Sequence, residues 1–361
     1  MNTLRPPLVS GDPAPAFVAK GPCDPYIPFG QAAGAHVVLC FFGSAARAEV
    51  RTMLEAARAN PFFDGSFATF IGVSADPADA GRLAEASPGF RLFWDFEGRI
   101  TWECGLKRVE DGNPGTSILF DRRLRVLSSE PITDPRTHVD ALTALLAEQP
   151  RVRPSGGAPV LIVPRVFEPE FCRALIAHWD GQNAEPSGFM TTDAKTGETF
   201  LKHDRSIKSR RDVHIEDREL HAAINARISR RLLPEIQKVF QFHVTRIERY
   251  LIARYDAEEG GYFGPHRDDG TRATEHRRFA VTINLNAEDY DGGDLRFREF
   301  DDGTYRPPTG GAVVFSCSLM HEVIPVTRGT RYCFLPFLYD EAAARLREEN
   351  LKYLRAEGRP G

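Results

Sequence analysis

No CxxC pair occurs in this chain of 361 residues, whose six cysteines are Cys23, Cys40, Cys104, Cys172, Cys317 and Cys333. Six thiols in this length do not make a disulfide scaffold, and they read as reduced thiols of a cytoplasmic protein. Long apolar runs are missing too. The longest strongly apolar stretch, Val37 to Phe42, is far short of the ~20 residues of a membrane helix. The opening Met1-Asn2-Thr3-Leu4-Arg5-Pro6-Pro7 has no apolar segment of the signal-peptide kind, so a cytoplasmic location and no membrane partner are expected. Neither sign of charge dominates: 46 basic against 50 acidic residues leave −4, which gives no general attraction to nucleic acid. Internal repeats and low-complexity tracts are also absent. What is present is ordinary for a folded soluble chain, with 42% hydrophobic and 27% charged residues, and it excludes wholesale disorder, collagen and coiled coil.

The length suits about two domains. The seam is Glu148 to Pro159, rich in Pro, Gly and Ser. It predicts one domain over residues 1–149, a linker over 150–159 and a second domain over 160–361. In the first half, buried strands at Val37–Phe42 and Phe67–Val73 alternate with helices at Arg47–Ala59 and Ala78–Ala86. A hairpin at Ser117–Phe120 and Leu124–Leu127 and a helix at Pro135–Ala147 follow. That order predicts an α/β layer around a sheet. The second half opens with a strand at Val160–Val163 and a helix at Glu168–Trp179. A long helix over Asp217–Phe240 is kinked at Pro234. Short β runs then recur at Glu248–Tyr255, Phe279–Leu285, Asp294–Phe300, Ala312–Ser316, His321–Val326 and Arg331–Leu338. They predict a sandwich or barrel of antiparallel strands with helices outside.

Chemistry concentrates in the second half. His266 and Asp268 end a β region, His321 follows fifty-three residues after Asp268, and Arg331 ten residues after that. Alternate strand residues share a face, so His266 and Asp268 can reach one metal, with His321 arriving from a distant strand. Two imidazoles and one carboxylate make the facial triad of non-haem Fe(II), with open positions for substrate and oxygen. Two similar pairs serve as controls. His138-Val139-Asp140 opens an amphipathic helix, where such residues diverge. His214-Ile215-Glu216 lies in a basic, polar stretch and reads as surface. Asp269 points away from Asp268 and is read as non-ligating. Gly292-Gly293 and Gly310-Gly311 read as turns, and Cys317 and Cys333 as small buried residues. The basic run Lys202–Arg211 reads as a solvated, mobile loop, or as a lid that steers an acidic substrate.

With Asn286–Phe297 and Pro307–Phe315 between the ligands, residues 245–339 resemble the 2-oxoglutarate/Fe(II)-dependent dioxygenases of the prolyl-4-hydroxylase type. The resemblance extends more weakly back to Val160. It implies a double-stranded β-helix (jelly roll) with flanking helices. His266, Asp268 and His321 would hold Fe(II), and 2-oxoglutarate and O2 would be cosubstrates, with ascorbate as a further cofactor. Arg331 would anchor the distal carboxylate of 2-oxoglutarate, as a guanidinium fork suits a carboxylate. Tyr255, eleven residues before His266, would hydrogen-bond the cosubstrate. The implied reaction is hydroxylation of a protein side chain such as proline, of an amino acid or of a small metabolite. Halogenation is disfavoured because Asp268 leaves no vacancy for a halide.

Residues 11–127 resemble the peroxiredoxin (AhpC/TSA) branch of the thioredoxin-like fold. The matching stretches are Gly11–Phe17, Val37–Phe42, Arg47–Val50, Ile71–Asp76 and Pro114–Asp121. That family sets its reactive cysteine at the start of a helix, where the helix end favours the thiolate. This chain has Ala45-Ala46 there, and Cys40 lies within a buried strand that disfavours a thiolate. The resemblance therefore implies a peroxidase-inactive domain serving dimerisation, substrate recruitment or scaffolding. The alternatives are a thiol peroxidase using a displaced cysteine (Cys23, Cys40 or Cys104) and an iron- or redox-sensing binding module without turnover.

Overall fold

Val37–Phe42 is apolar at every position because it lies where both sheet faces are covered. In the computed structural model it sits inside the strand His36–Gly43, buried at all eight residues. The structure describes residues 5–22, 24–83, 89–109, 115–149, 157–193 and 195–355. The chain divides into two compact units, Met1–Gly156 with Arg298–Phe300, and Gly157–Phe297 with Asp301–Gly361. Of the expected linker, residues 150–156 lie outside the described residues, as do Cys23 and residues 84–86 of the expected Ala78–Ala86 helix. No helix among the described residues is long and apolar enough to cross a membrane.

The first unit holds a five-stranded sheet in the order Phe90–Trp94, Ala68–Ser74, His36–Gly43, Thr116–Phe120, Val126–Pro131. The first three strands run parallel, and the last two join antiparallel. Helices Ala48–Ala59 and Pro135–Ala147 bury Leu54, Ala57, Leu142 and Leu146 against it. Asp134 caps the second helix by accepting from the Arg136 amide. Residues 77–81 form only a 3-10 turn. The strand Phe90–Trp94 and the short helix Arg99–Glu103 were not expected from the sequence. His138 lies in the first turn of that helix, as expected, but is buried there, and its Nε2 pairs with the Ser117 hydroxyl at 2.8 Å.

The second unit is a jelly-roll-like sandwich of two antiparallel sheets. The larger has nine strands on its main path and at its branch, including Phe279–Asn284, Thr330–Phe334 and Leu251–Asp256 in that order. The smaller runs Lys208–Ser209, Tyr262–His266, His321–Val323, Leu295–Arg296, Thr304–Tyr305. Helices Pro169–Asp180, Arg218–Arg231 and Leu233–Phe240 pack Leu175, Ile224, Ile228 and Ile236 on the larger sheet. The expected long helix is thus two, divided at Leu232 just before Pro234. Glu248–Tyr255 is likewise two strands, because Arg249 takes a left-handed φ of 55° between them. Asp294–Phe300 shortens to the pair Leu295–Arg296.

Candidate metal centre

His266 ends the strand Tyr262–His266, and His321 starts its partner. Register slips between them: Phe263 faces Val323, and His266 faces His321. One extra residue on the first strand is a bulge, and it brings the two imidazoles together with ring centres 4.2 Å apart. Asp268 lies just past the strand rather than in it, and its amide donates to the Cys317 carbonyl at 3.0 Å. The turn before His321 therefore fixes both. The three residues bring one ligand atom each within 4.8 Å of one another.

Two details equip this cluster for a metal. The Nδ1 of His266 donates to the Gly264 carbonyl at 2.8 Å, and that of His321 to the Leu319 carbonyl at 3.0 Å. A carbonyl only accepts, so each ring keeps its lone pair on Nε2. Those Nε2 atoms lie 3.7 and 3.4 Å from the Asp268 carboxylate oxygens. Burial and then the neighbouring His321 hold His266 well below the ordinary histidine value, which keeps it neutral. Burial opposes the charge on Asp268, but His321, His266, Arg277 and Arg249 together keep its carboxyl below the usual range. Two imidazoles and one carboxylate are a donor set that suits Fe(II).

The larger sheet supplies the second component. Arg331 and Tyr255 are register partners in neighbouring strands, both 2% exposed. Nε and Nη1 of Arg331 have no hydrogen-bond partner, nor has the Tyr290 hydroxyl. A buried guanidinium with free N–H groups calls for an anionic acceptor, and a carboxylate of 2-oxoglutarate fits that need. Gly293 makes room for it. At φ 68°, a Cβ there would sit 2.8 Å from Val326 and 3.2 Å from Cδ of Arg331.

The basic run 202–211 departs from expectation. Lys202 and Arg205 are exposed, but Lys208, Ser209 and Arg210 are buried, at 6%, 7% and 7% exposure. This segment passes from the smaller sheet at Lys208–Ser209 to the larger at Arg211–His214. Arg210 donates to Asp212 at 2.6 Å and to the Tyr255 hydroxyl at 3.3 Å. Sequence reasoning missed Lys208, Arg210, Arg249 and Tyr290. A signal existed for two of them: Lys208, Arg210 and Asp212 alternate, as strand residues sharing a face do. Asp269 accepts from the Ser318 hydroxyl, His214 is exposed, and Cys317 and Cys333 are buried. In the first unit Ala45 is buried, and its amide donates to Asp79 at 2.9 Å. Burial pushes the Cys40 and Cys104 thiols up to about 12.

Residues 250–339 match the sequence profile of the 2OG-Fe(II) oxygenase superfamily. The second unit carries such an oxygenase domain. A PKHD-type hydroxylase of Synechococcus sp. strain JA-2-3B'a(2-13) is 31% identical over 137 residues, which are 36% of this chain and 58% of that protein. The chain thus spans little more than half the length of that relative. A prolyl-4-hydroxylase structure from Pseudomonas putida covers 50% of this chain and 92% of its own, at 20% identity and TM-score 0.37. Peroxidoxin BcpB from Mycobacterium tuberculosis covers 40% of this chain and 99% of its own, at 21% identity and TM-score 0.32.

Proposed function

We propose that the second unit is a 2-oxoglutarate- and O2-dependent hydroxylase in which His266, Asp268 and His321 hold Fe(II). The observation that carries this reading is the convergence of two free Nε2 atoms and one carboxylate within 4.8 Å, with the unpartnered Arg331 on the facing sheet. Bound there, iron and 2-oxoglutarate supply the oxidation that turns a substrate C–H bond into an alcohol. The chain's own residues bind and orient. Arg331 receives the distal carboxylate of 2-oxoglutarate, and the Tyr255 hydroxyl, which accepts from Arg210, keeps its proton to donate to the cosubstrate. Phe263 stacks on His266 at 3.5 Å and Phe315 meets His321 edge-on at 4.6 Å. These rings fix both imidazoles and exclude water behind them. The decisive test is succinate formation from 2-oxoglutarate with Fe(II), in wild type and in Asp268→Ala. Full turnover in that variant refutes the triad.

The first unit is read as a thioredoxin-like, peroxiredoxin-derived domain without peroxidase activity. Its strand order, with four strands running one way and Thr116–Phe120 against them, and Ala45-Ala46 at the helix start support this. Its part is substrate recruitment or homodimerisation. Buried thiols with raised pKa values speak against a displaced peroxidatic cysteine among the described residues.

A further inference from the structure

Two cations at the site remain without a carboxylate once the others are assigned. Arg210 is neutralised by Asp212, at 2.6 Å, and Arg277 by Glu248, at 2.7 Å. Arg331 belongs to 2-oxoglutarate in the reading above. The iron's charge is met by Asp268 and the chelating end of the cosubstrate. Lys208 and Arg249 are left over.

Lys208 is 6% exposed. Its Nζ donates to the Gly188 carbonyl at 2.6 Å and lies 4.5 Å from the centre of the Phe263 ring, the ring that stacks on His266. Arg249 donates from Nε to the Leu335 carbonyl at 3.0 Å. Its guanidinium shares the Phe337 ring with Arg277, at 4.2 and 4.0 Å. Among the described residues, no acceptor meets its two η nitrogens. Lys208 feels the charges of Arg210, Asp212, Arg249 and Asp268, and Arg249 those of Arg277, Arg210, Asp268 and Asp212, so with the pair itself counted cations outnumber carboxylates. Burial lowers Lys208 well below the ordinary lysine value, so a carboxylate ligand would restore its charge, and an unmatched guanidinium is costly unless a ligand supplies the counter-charge.

The backbone adds an independent observation. Arg249 sits at φ 55°, a conformation in which an L side chain is strained. Here the strain turns a long cation inward at the break between two strands. Strain of this kind persists where the surrounding structure enforces it, often at binding sites.

We propose that Arg249 and Lys208 form the recognition subsite for the prime substrate, which presents a carboxylate to them. This rests on the oxygenase reading. A guanidinium with free η N–H groups suits a carboxylate oxygen pair, and Lys208, over the ring that stacks on His266, adds a second donor on the metal side. The carboxylate comes either from a free amino or organic acid or from an acidic side chain of a peptide.

The test uses full-length protein loaded with redox-silent Zn(II) and saturated with 2-oxoglutarate, with titration calorimetry as the readout. The probes are free amino acids against their carboxamides, and end-blocked hexapeptides with Glu against the same peptides with Gln. The matched Fe(II) assay follows succinate. The proposal expects binding of a carboxylate probe and not of its amide. Arg249→Gln and Lys208→Met should each weaken that binding by about tenfold to a hundredfold, and Arg249→Lys should recover part of it. The 2-oxoglutarate dissociation constant should move less than about twofold. Success with the free acids or only with the peptides identifies the source. Equal binding of the amides, unaltered carboxylate binding in both variants, or failure of every carboxylate probe overturns the proposal. Absence of 2-oxoglutarate binding in wild type instead overturns the oxygenase reading beneath it.

Discussion

Tyr255 and Arg331 stand directly opposite each other in adjacent antiparallel strands, with the guanidinium carbon 5.1 Å from the centre of the tyrosine ring. They are seventy-six residues apart in sequence, yet one register holds both at the same depth of the sandwich. The anchor for a carboxylate is thus built into the larger sheet, and the metal ligands into the rim of the smaller. The spacing of Arg331 from the two histidines is therefore set by sheet packing, and Asp268 joins them from just past its strand.

Arg331→Gln should weaken 2-oxoglutarate binding by about a hundredfold, and Arg331→Lys by less, because an ammonium keeps the charge and loses the fork. Calorimetry on the Zn(II)-loaded protein measures both. Affinity equal to wild type in Arg331→Gln would move the anchor elsewhere.

Metal binding should follow the three ligands together. Wild type dialysed against Fe(II) or Mn(II) should retain it stoichiometrically, whereas Asp268→Ala and His321→Ala should retain none after the same treatment. Metal analysis on protein whose far-ultraviolet dichroism is unchanged gives the answer. Retention of bound metal by both variants would remove the triad.

Glu248 accepts from His276 at 2.8 Å and from Arg277 at 2.7 and 3.1 Å, and Arg277 in turn donates to the Asp268 carbonyl at 3.2 Å. Glu248→Gln leaves a buried guanidinium unpaired and should cost about 3 kcal/mol of stability. Burial opposes the Glu248 charge, but the hydrogen bonds from His276 and Arg277 win and hold its carboxyl far below the ordinary 4.5. A depressed carboxyl contributes stability above its unfolded value, and that contribution fades as acid drives pH down through the folded one. Urea unfolding of wild type should therefore weaken below pH 4.5, and Glu248→Gln should show less of that loss. Identical acid profiles for the two proteins would contradict this role.

Cys40 and Cys104 are raised to about 12 by desolvation, so at pH 8 only about one thiol in ten thousand is thiolate. Iodoacetamide should leave both unlabelled in the native protein, with labelling appearing as pH climbs towards 12 or in urea. Peptide mass spectrometry reads each site separately. Rapid native labelling of Cys40 at pH 8 would reopen the thiol-peroxidase alternative.

Residues whose role depends on near neighbours were legible in the sequence. His266 and Asp268 announce themselves by spacing and His321 by its β context, and Val37–Phe42 by continuous apolarity. The helix Pro135–Ala147 was readable residue for residue because Asp134 and Pro135 mark its start. What escaped depends on remote partners. Arg210 is buried because Asp212, Ser187 and Tyr255 surround it, and a charge run alone cannot display that. The break at Arg249 carries no glycine or proline, so no turn signal exists to find. His138 looked like a polar helix start, and only the sheet reveals its Ser117 partner.

The bulge before His266 also bears on how this chain can vary. Three steps from Phe263 to His266 are matched against two from Val323 to His321. Removing either Gly264 or Pro265 would restore even pairing and still leave His266 opposite His321, on the same face of the sheet. The spare residue is therefore what kinks the strand, and the chain could lose it without losing the pairing of the two imidazoles.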